Sequence, residues 1–103
     1  MAALPTATDL AARHQAAELA GALRLVLMAW GQNGGDATSA VRGAREVLER
    51  YQPEGPDLTV ELQAAASLML YRLNEVPRGC LHAAVVEAAR NLREKLTKLG
   101  VAR

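Results

Sequence analysis

Phenylalanine is absent from the 103 residues, and the aromatic set is one tryptophan and two tyrosines. A core must therefore be assembled from alanine, leucine and valine. Small and γ-branched side chains suit close-packed helices better than a pleated sheet. Cysteine is nearly absent as well. Cys80 stands alone, which excludes an internal disulfide and points to a reducing, cytoplasmic setting. No sign of charge dominates: twelve basic and eleven acidic residues leave a net charge of +1. Net charge alone therefore does not point to nucleic acid. Long apolar runs are missing too. The longest, Leu25 to Trp30, is far short of a membrane span. Met1 to Asp9 has neither the basic start nor the apolar stretch of a signal peptide.

What is present is apolar helix in surplus. Half of the residues are hydrophobic and 22% are charged, a globular balance. The length fits one domain, 1–103, with a modest core.

The chain is organised around Leu62 to Val76. On a helix at about 100° per residue, Leu62, Ala65, Ala66, Met69, Leu73 and Val76 form one apolar stripe. Leu68, Leu70, Tyr71 and Ala64 are expected to point away from it, where an amphipathic helix would be polar. A helix apolar nearly all round needs cover on several sides.

Before this stretch, N-cap oxygens at Thr6, Thr8 and Asp9 place a helix start near Asp9. Its core face is Ala12, Ala16, Leu19, Leu23, Val26, Leu27 and Trp30. Leu25 and Met28 are left over, pointing outward. Gly31 to Gly35 is expected to stop this helix. Asp36 or Thr38 caps a second helix to about Tyr51. Ala37, Val41, Ala44, Leu48 and Tyr51 face its core, and Arg42, Arg45, Glu46, Glu49 and Arg50 face outward. The last are spaced for i,i+4 ion pairs on a solvated surface.

Pro53 to Pro56 break the second helix, and Asp57 can cap the third. Pro77 ends the third. A fourth helix is expected from about Cys80, with Leu81, Val85, Ala88, Leu92, Leu96 and Leu99 inward and Gly100 at its end. Helices at about 9–31, 37–51, 58–76 and 80–99, joined by short connectors, predict an all-α, antiparallel four-helix bundle running up-down-up-down.

Reactive groups do not converge along the chain. His14 and His82 lack the Lys-Gly that follows the histidine of phosphotransfer bundles. Two histidines and one cysteine in separate places do not make a zinc site. Glu46 and Glu49 form E-x-x-E, but no second acidic pair matches them on a facing helix, and arginines are spaced to pair with both. Cys80 near a helix start has no evident base beside it. The P-loop, G-x-G-x-x-G and G-x-S-x-G patterns are absent. The expectation is a protein that is not an enzyme and takes no metal or other cofactor.

Ten of the twelve basic residues are arginine, the better fork for phosphate, although a GC-rich coding bias gives the same ratio. Arg42, Arg45, Arg90 and Arg93 are the candidates for contact with a nucleic-acid backbone, each interleaved with glutamates.

Leu68-Met69-Leu70-Tyr71-Arg72-Leu73-Asn74-Glu75, followed by Asn91-Leu92-Arg93-Glu94-Lys95-Leu96, resembles the back half of the FliS-type flagellar export chaperones. That resemblance covers about 40 residues of the third and fourth helices. It implies a bundle that holds an amphipathic helix of a secreted subunit, with Leu68, Leu70 and Tyr71 lining the groove. By size alone the chain also fits the small helical subunit of CRISPR-type ribonucleoprotein complexes, which touches nucleic-acid backbone. The reading that joins these observations is an interaction subunit of a larger assembly. It would dock on a protein partner or a second copy through Leu25, Met28, Leu68, Leu70 and Tyr71.

Overall fold

The computed structural model describes residues 7–33 and 39–98, and the side chains of 13–33, 39–77 and 79–98. Four α-helices follow one another: α1 (Ala7–Gln32), α2 (Ser39–Arg50), α3 (Thr59–Asn74) and α4 (Ala83–Lys98), with a 3₁₀ turn, Arg78–Cys80, before the last. The described residues contain no strand, and the chain is the expected all-α four-helix bundle.

α1 packs chiefly against α4, and α2 chiefly against α3. α1 also touches α2 and α3, and α3 touches α4. α3 and α1 each touch the other three helices, so both tie the two pairs together, and α1 is the longer. It has 26 residues, about 39 Å at the helical rise. Leu19, Leu23 and Val26 on it are fully enclosed, and the short side chains of Ala16, Ala20, Ala22 and Ala29 are buried beside them. Leu62 and Met69 from α3, Ala44 from α2, and Val85 and Leu92 from α4 complete the centre. Every buried side chain among the described residues is apolar. No buried polar atom is therefore left without a partner.

The helix ends show where local chemistry overrides simple signals. α1 ends inside the Gly31 to Gly35 segment expected to stop it. It runs to Gln32, and Asn33 closes it by donating from Nδ2 to the Ala29 carbonyl at 2.7 Å and from its backbone N–H to Trp30 at 3.3 Å. A glycine near a helix end permits termination but does not impose it. The candidate caps Thr6, Asp36 and Thr38, and the inward positions Ala37 and Leu99, lie outside the described residues. Thr8 and Asp9 fall within α1.

α3 begins at Thr59, and Asp57 helps to set it. The Asp57 carboxylate accepts from the backbone N–H of Thr59 at 2.9 Å and from its hydroxyl at 2.5 Å. These bonds hold the Asp57 carboxyl below the usual aspartate range. At its far end α3 tightens, with Glu75 and Val76 donating to Arg72 and Leu73 at 3.2 Å before Pro77.

α4 starts at Ala83, not at Cys80 as expected. Cys80 closes the 3₁₀ turn by donating to the Pro77 carbonyl at 2.8 Å, and it is exposed. His82 then acts as the cap. Its Nδ1 accepts from the Ala84 N–H at 3.0 Å, and its carbonyl receives Val85 and Val86 at 3.0 and 3.1 Å. Histidine is outside the usual set of capping residues, so spacing alone did not mark it.

Candidate interaction surfaces

α3 has α2, α1 and α4 all packed against it. Its inner stripe is enclosed as expected: Leu62, Ala65, Ala66, Met69 and Leu73 are buried, and Val76 is half-buried. Its outer face is apolar and open. Leu68 is 59% exposed, Tyr71 68% and Val60 73%, and Ala64 between them is exposed as well. These four recur at four, four and three residues, so they share one side of the helix. Val60 extends the stripe by one turn beyond the residues that sequence reasoning singled out. The spacing would have found it, had the outer face been followed back to the start of the helix.

Leu70 corrects the expectation. It is 9% exposed and belongs to the core. It lies roughly 80° from the centre of the inner stripe, on the flank that α4 covers. A helix contacted by three others buries a wider arc than a helix packed on one neighbour. Leu68, Leu70 and Tyr71 therefore do not line one groove.

A shallow groove does run between α3 and α4. Leu70, Leu73, Val76, Leu81, Val86 and Ala89 line it, with Asn74, Arg90 and Arg93 beside them, and its volume is about 320 Å³. Val86 is a further apolar side chain left partly in water, which sequence reasoning did not mark.

Leu25 and Met28 stand elsewhere. They are 52% and 56% exposed and border a second shallow groove, between α1 and α4, with Ala84, Glu87, Ala88 and Asn91. The apolar surplus is thus divided between the α1–α4 groove and the outer face of α3.

The arginine candidates divide likewise. Arg42 and Arg45 are exposed on α2, while Arg90 and Arg93 are exposed on α4 beside Glu94, Thr97 and Lys98. α2 and α4 are not among the helix pairs that pack extensively. The i,i+4 lattice expected on α2 does not close: Arg42, Arg45, Glu46, Glu49 and Arg50 are all exposed, and none forms an ion pair among the described residues. Long charged side chains gain little from pairing in water and lose rotamer freedom by it.

Glu18 forms two ion pairs among the described residues. Its Oε2 lies 3.2 Å from the Lys95 ammonium of α4, and its Oε1 lies 2.9 Å from His14 Nε2, one turn back. The hydrogen bond and charge of Lys95, with smaller contributions from His14 and Lys98, hold the Glu18 carboxyl below its ordinary value of 4.5. This clips α1 to α4 at the rim of the bundle and leaves His14 occupied.

Among the described residues, no three His, Cys, Asp or Glu side chains come together as a metal site. A cleft of about 340 Å³ lies under the connector between α2 and α3, with Arg13, Tyr51 and Asp57 in its lining. The Asp57 carboxylate and the Thr59 hydroxyl, which both line it, are bonded to each other in the turn that starts α3. No helix of the described residues is long and apolar enough to cross a membrane. Comparison with protein-family models, with curated proteins and with solved structures finds no match for this chain.

Proposed function

We propose that this protein is a non-enzymatic helical interaction subunit of a larger assembly. It docks through apolar surface on α1 and α3. One observation carries the reading: Leu25, Met28, Leu68 and Tyr71 each leave more than half of their surface in water. Single exposed apolar residues are ordinary on a protein surface. A continuous stripe of them along a helix whose inner side already fills a core is not, and such patches mark sites of association. Helix-on-helix docking covers a surface of this kind, because apolar residues at three- and four-residue spacing fit between the ridges of a second helix.

The test is charge insertion on each surface. Leu68→Glu and Leu25→Glu should retain the helical circular-dichroism signal and lose self-association or a stoichiometric partner. Unfolding of both variants would place these side chains in the core. Unchanged association in both would remove the reading.

A further inference from the structure

We infer that the groove between α3 and α4 binds a single-chain anionic amphiphile, an unbranched apolar chain ending in a carboxylate or phosphate head. The groove is separate from the surfaces proposed for docking, which lie on the outer face of α3 and beside Leu25 and Met28.

The groove is apolar at one end and cationic at the other. Val76 and Leu81 come from the connection between α3 and α4 and mark the apolar end. Arg93 is the lining residue furthest along α4 from that connection, with Arg90 about a turn nearer. Between the two ends Leu70 and Leu73 form a buried floor, and Val86 is left 39% exposed at the rim.

The charge at the groove is of one sign. No aspartate or glutamate is among its described lining residues. Around α4, Arg93 and Val86 follow Ala89 on the side of α3, Arg90 comes next, and Glu94 and Glu87 lie beyond it, away from the groove. On α3 the flank beside Leu70 carries Gln63, Ser67 and Asn74, which are uncharged, while Glu61 and Glu75 stand across the helix. The guanidinium groups of Arg90 and Arg93 are exposed and form no ion pair among the described residues. Such a fork takes a carboxylate or phosphate through two parallel hydrogen bonds.

Size selects the kind of anion. The volume of about 320 Å³ stands at the small end of ligand sites, which run from about 300 to 1,000 Å³. From Val86 to Arg93 the rim extends about 10 Å at the helical rise. A partner helix is about 10–12 Å across with its side chains, so a groove this short seats only a small part of its face. A flat membrane surface would meet the arginines and leave Leu70 and Leu73 uncovered below the rim. One extended chain lies along the groove, covers Val86 and brings its head to the arginines.

The experiment is a titration of the full chain with decanoate to about 5 mM, a range that registers millimolar affinity, followed by amide and methyl shifts in heteronuclear NMR. Saturable shifts are expected at Leu73, Val76, Leu81, Val86 and Ala89. Decyltrimethylammonium, with the same chain and a cationic head, should bind at least about tenfold more weakly. Butyrate, with the head and little chain, should give no saturable shift. Neither comparison needs a variant. Arg90→Glu with Arg93→Glu should weaken decanoate binding about tenfold with the helical signal unchanged. Arg42→Glu with Arg45→Glu, the same change of charge on α2, should leave it as it is. Leu68→Glu should also leave it intact, which keeps the failure of the docking reading apart from the failure of this one. Equal binding of the two ten-carbon chains, shifts centred on Leu25 or Leu68, absence of saturable binding, or reversal at 90 and 93 without effect would each overturn the proposal. Co-sedimentation with phosphatidylglycerol vesicles without decanoate shifts in the groove would assign the arginines to a membrane surface and overturn it too.

Discussion

α2 and α3 lie against each other and treat their outer faces in opposite ways. α2 buries Val41, Ala44, Val47 and Leu48 and turns five charged side chains to water. α3 buries six residues and turns Val60, Ala64, Leu68 and Tyr71 to water. Both helices have the inner stripe that folding needs. Only α3 carries a second stripe that folding does not use. A residue's hydrophobicity therefore does not say which purpose it serves; the neighbours of its helix face do. On α2 an apolar residue is core. On α3 it is core or open surface according to its position around the helix.

The largest expected effect breaks the contrast from within α3. Leu62 is fully enclosed, so Leu62→Ala should cost about 2–5 kcal/mol through lost transfer energy and a cavity. Leu68→Ala, one and a half turns away on the open side, should stay within about 0.5 kcal/mol. Chemical denaturation of both variants measures the difference, and equal losses would show that the outer stripe is core.

The contrast can also be erased from the α2 side. Arg45→Leu with Glu49→Leu would give α2 an outer apolar pair like that of α3. The double variant should fold as the wild type does and gain a concentration-dependent increase in mass by light scattering. If it does not associate, exposed leucines on this bundle are insufficient for docking.

Smaller effects concern the helix ends and the rim. His82→Ala removes the acceptor for the Ala84 N–H and should cost about 1 kcal/mol, within the range of other lost N-caps. Urea denaturation of that variant is the check, with Asn or Ser at the same position expected to recover the loss. The Glu18 pair gives the smallest effect. Its carboxyl titrates below 4.5 in the folded chain because of Lys95. The contribution is therefore present above that value and disappears as pH falls through the lowered one. Lys95→Met should flatten the acid limb of stability slightly, read from thermal midpoints between neutral pH and pH 3.

Much of the bundle was legible from periodicity. The inner residues from Ala16 to Trp30, and those of α3 from Leu62 to Leu73, repeat at three and four and are buried where the spacing places them. The outward positions of Leu25, Met28, Leu68 and Tyr71 were legible by the same rule. Leu70 was not, because spacing describes one helix and its burial depends on α4. Val47 was likewise left out of the α2 stripe, yet it is buried. The start of α4 was read three residues early, since the 3₁₀ turn and the imidazole cap at His82 leave no standard capping signature. The Glu18–Lys95 clip joins residues far apart in the chain, and nothing local announces it. The grooves between α1 and α4 and between α3 and α4 are properties of helix pairs. They could not be drawn before it was known which helices touch.

The most direct test compares the outer faces of α2 and α3 in the same protein. A photo-crosslinking residue is placed at position 68 in one variant and at position 49 in another, and each is irradiated in cells. The expected result is a discrete adduct from position 68 and none above background from position 49. Equal labelling from both positions, or none from position 68, would contradict the view that the back of α3 is made to be covered.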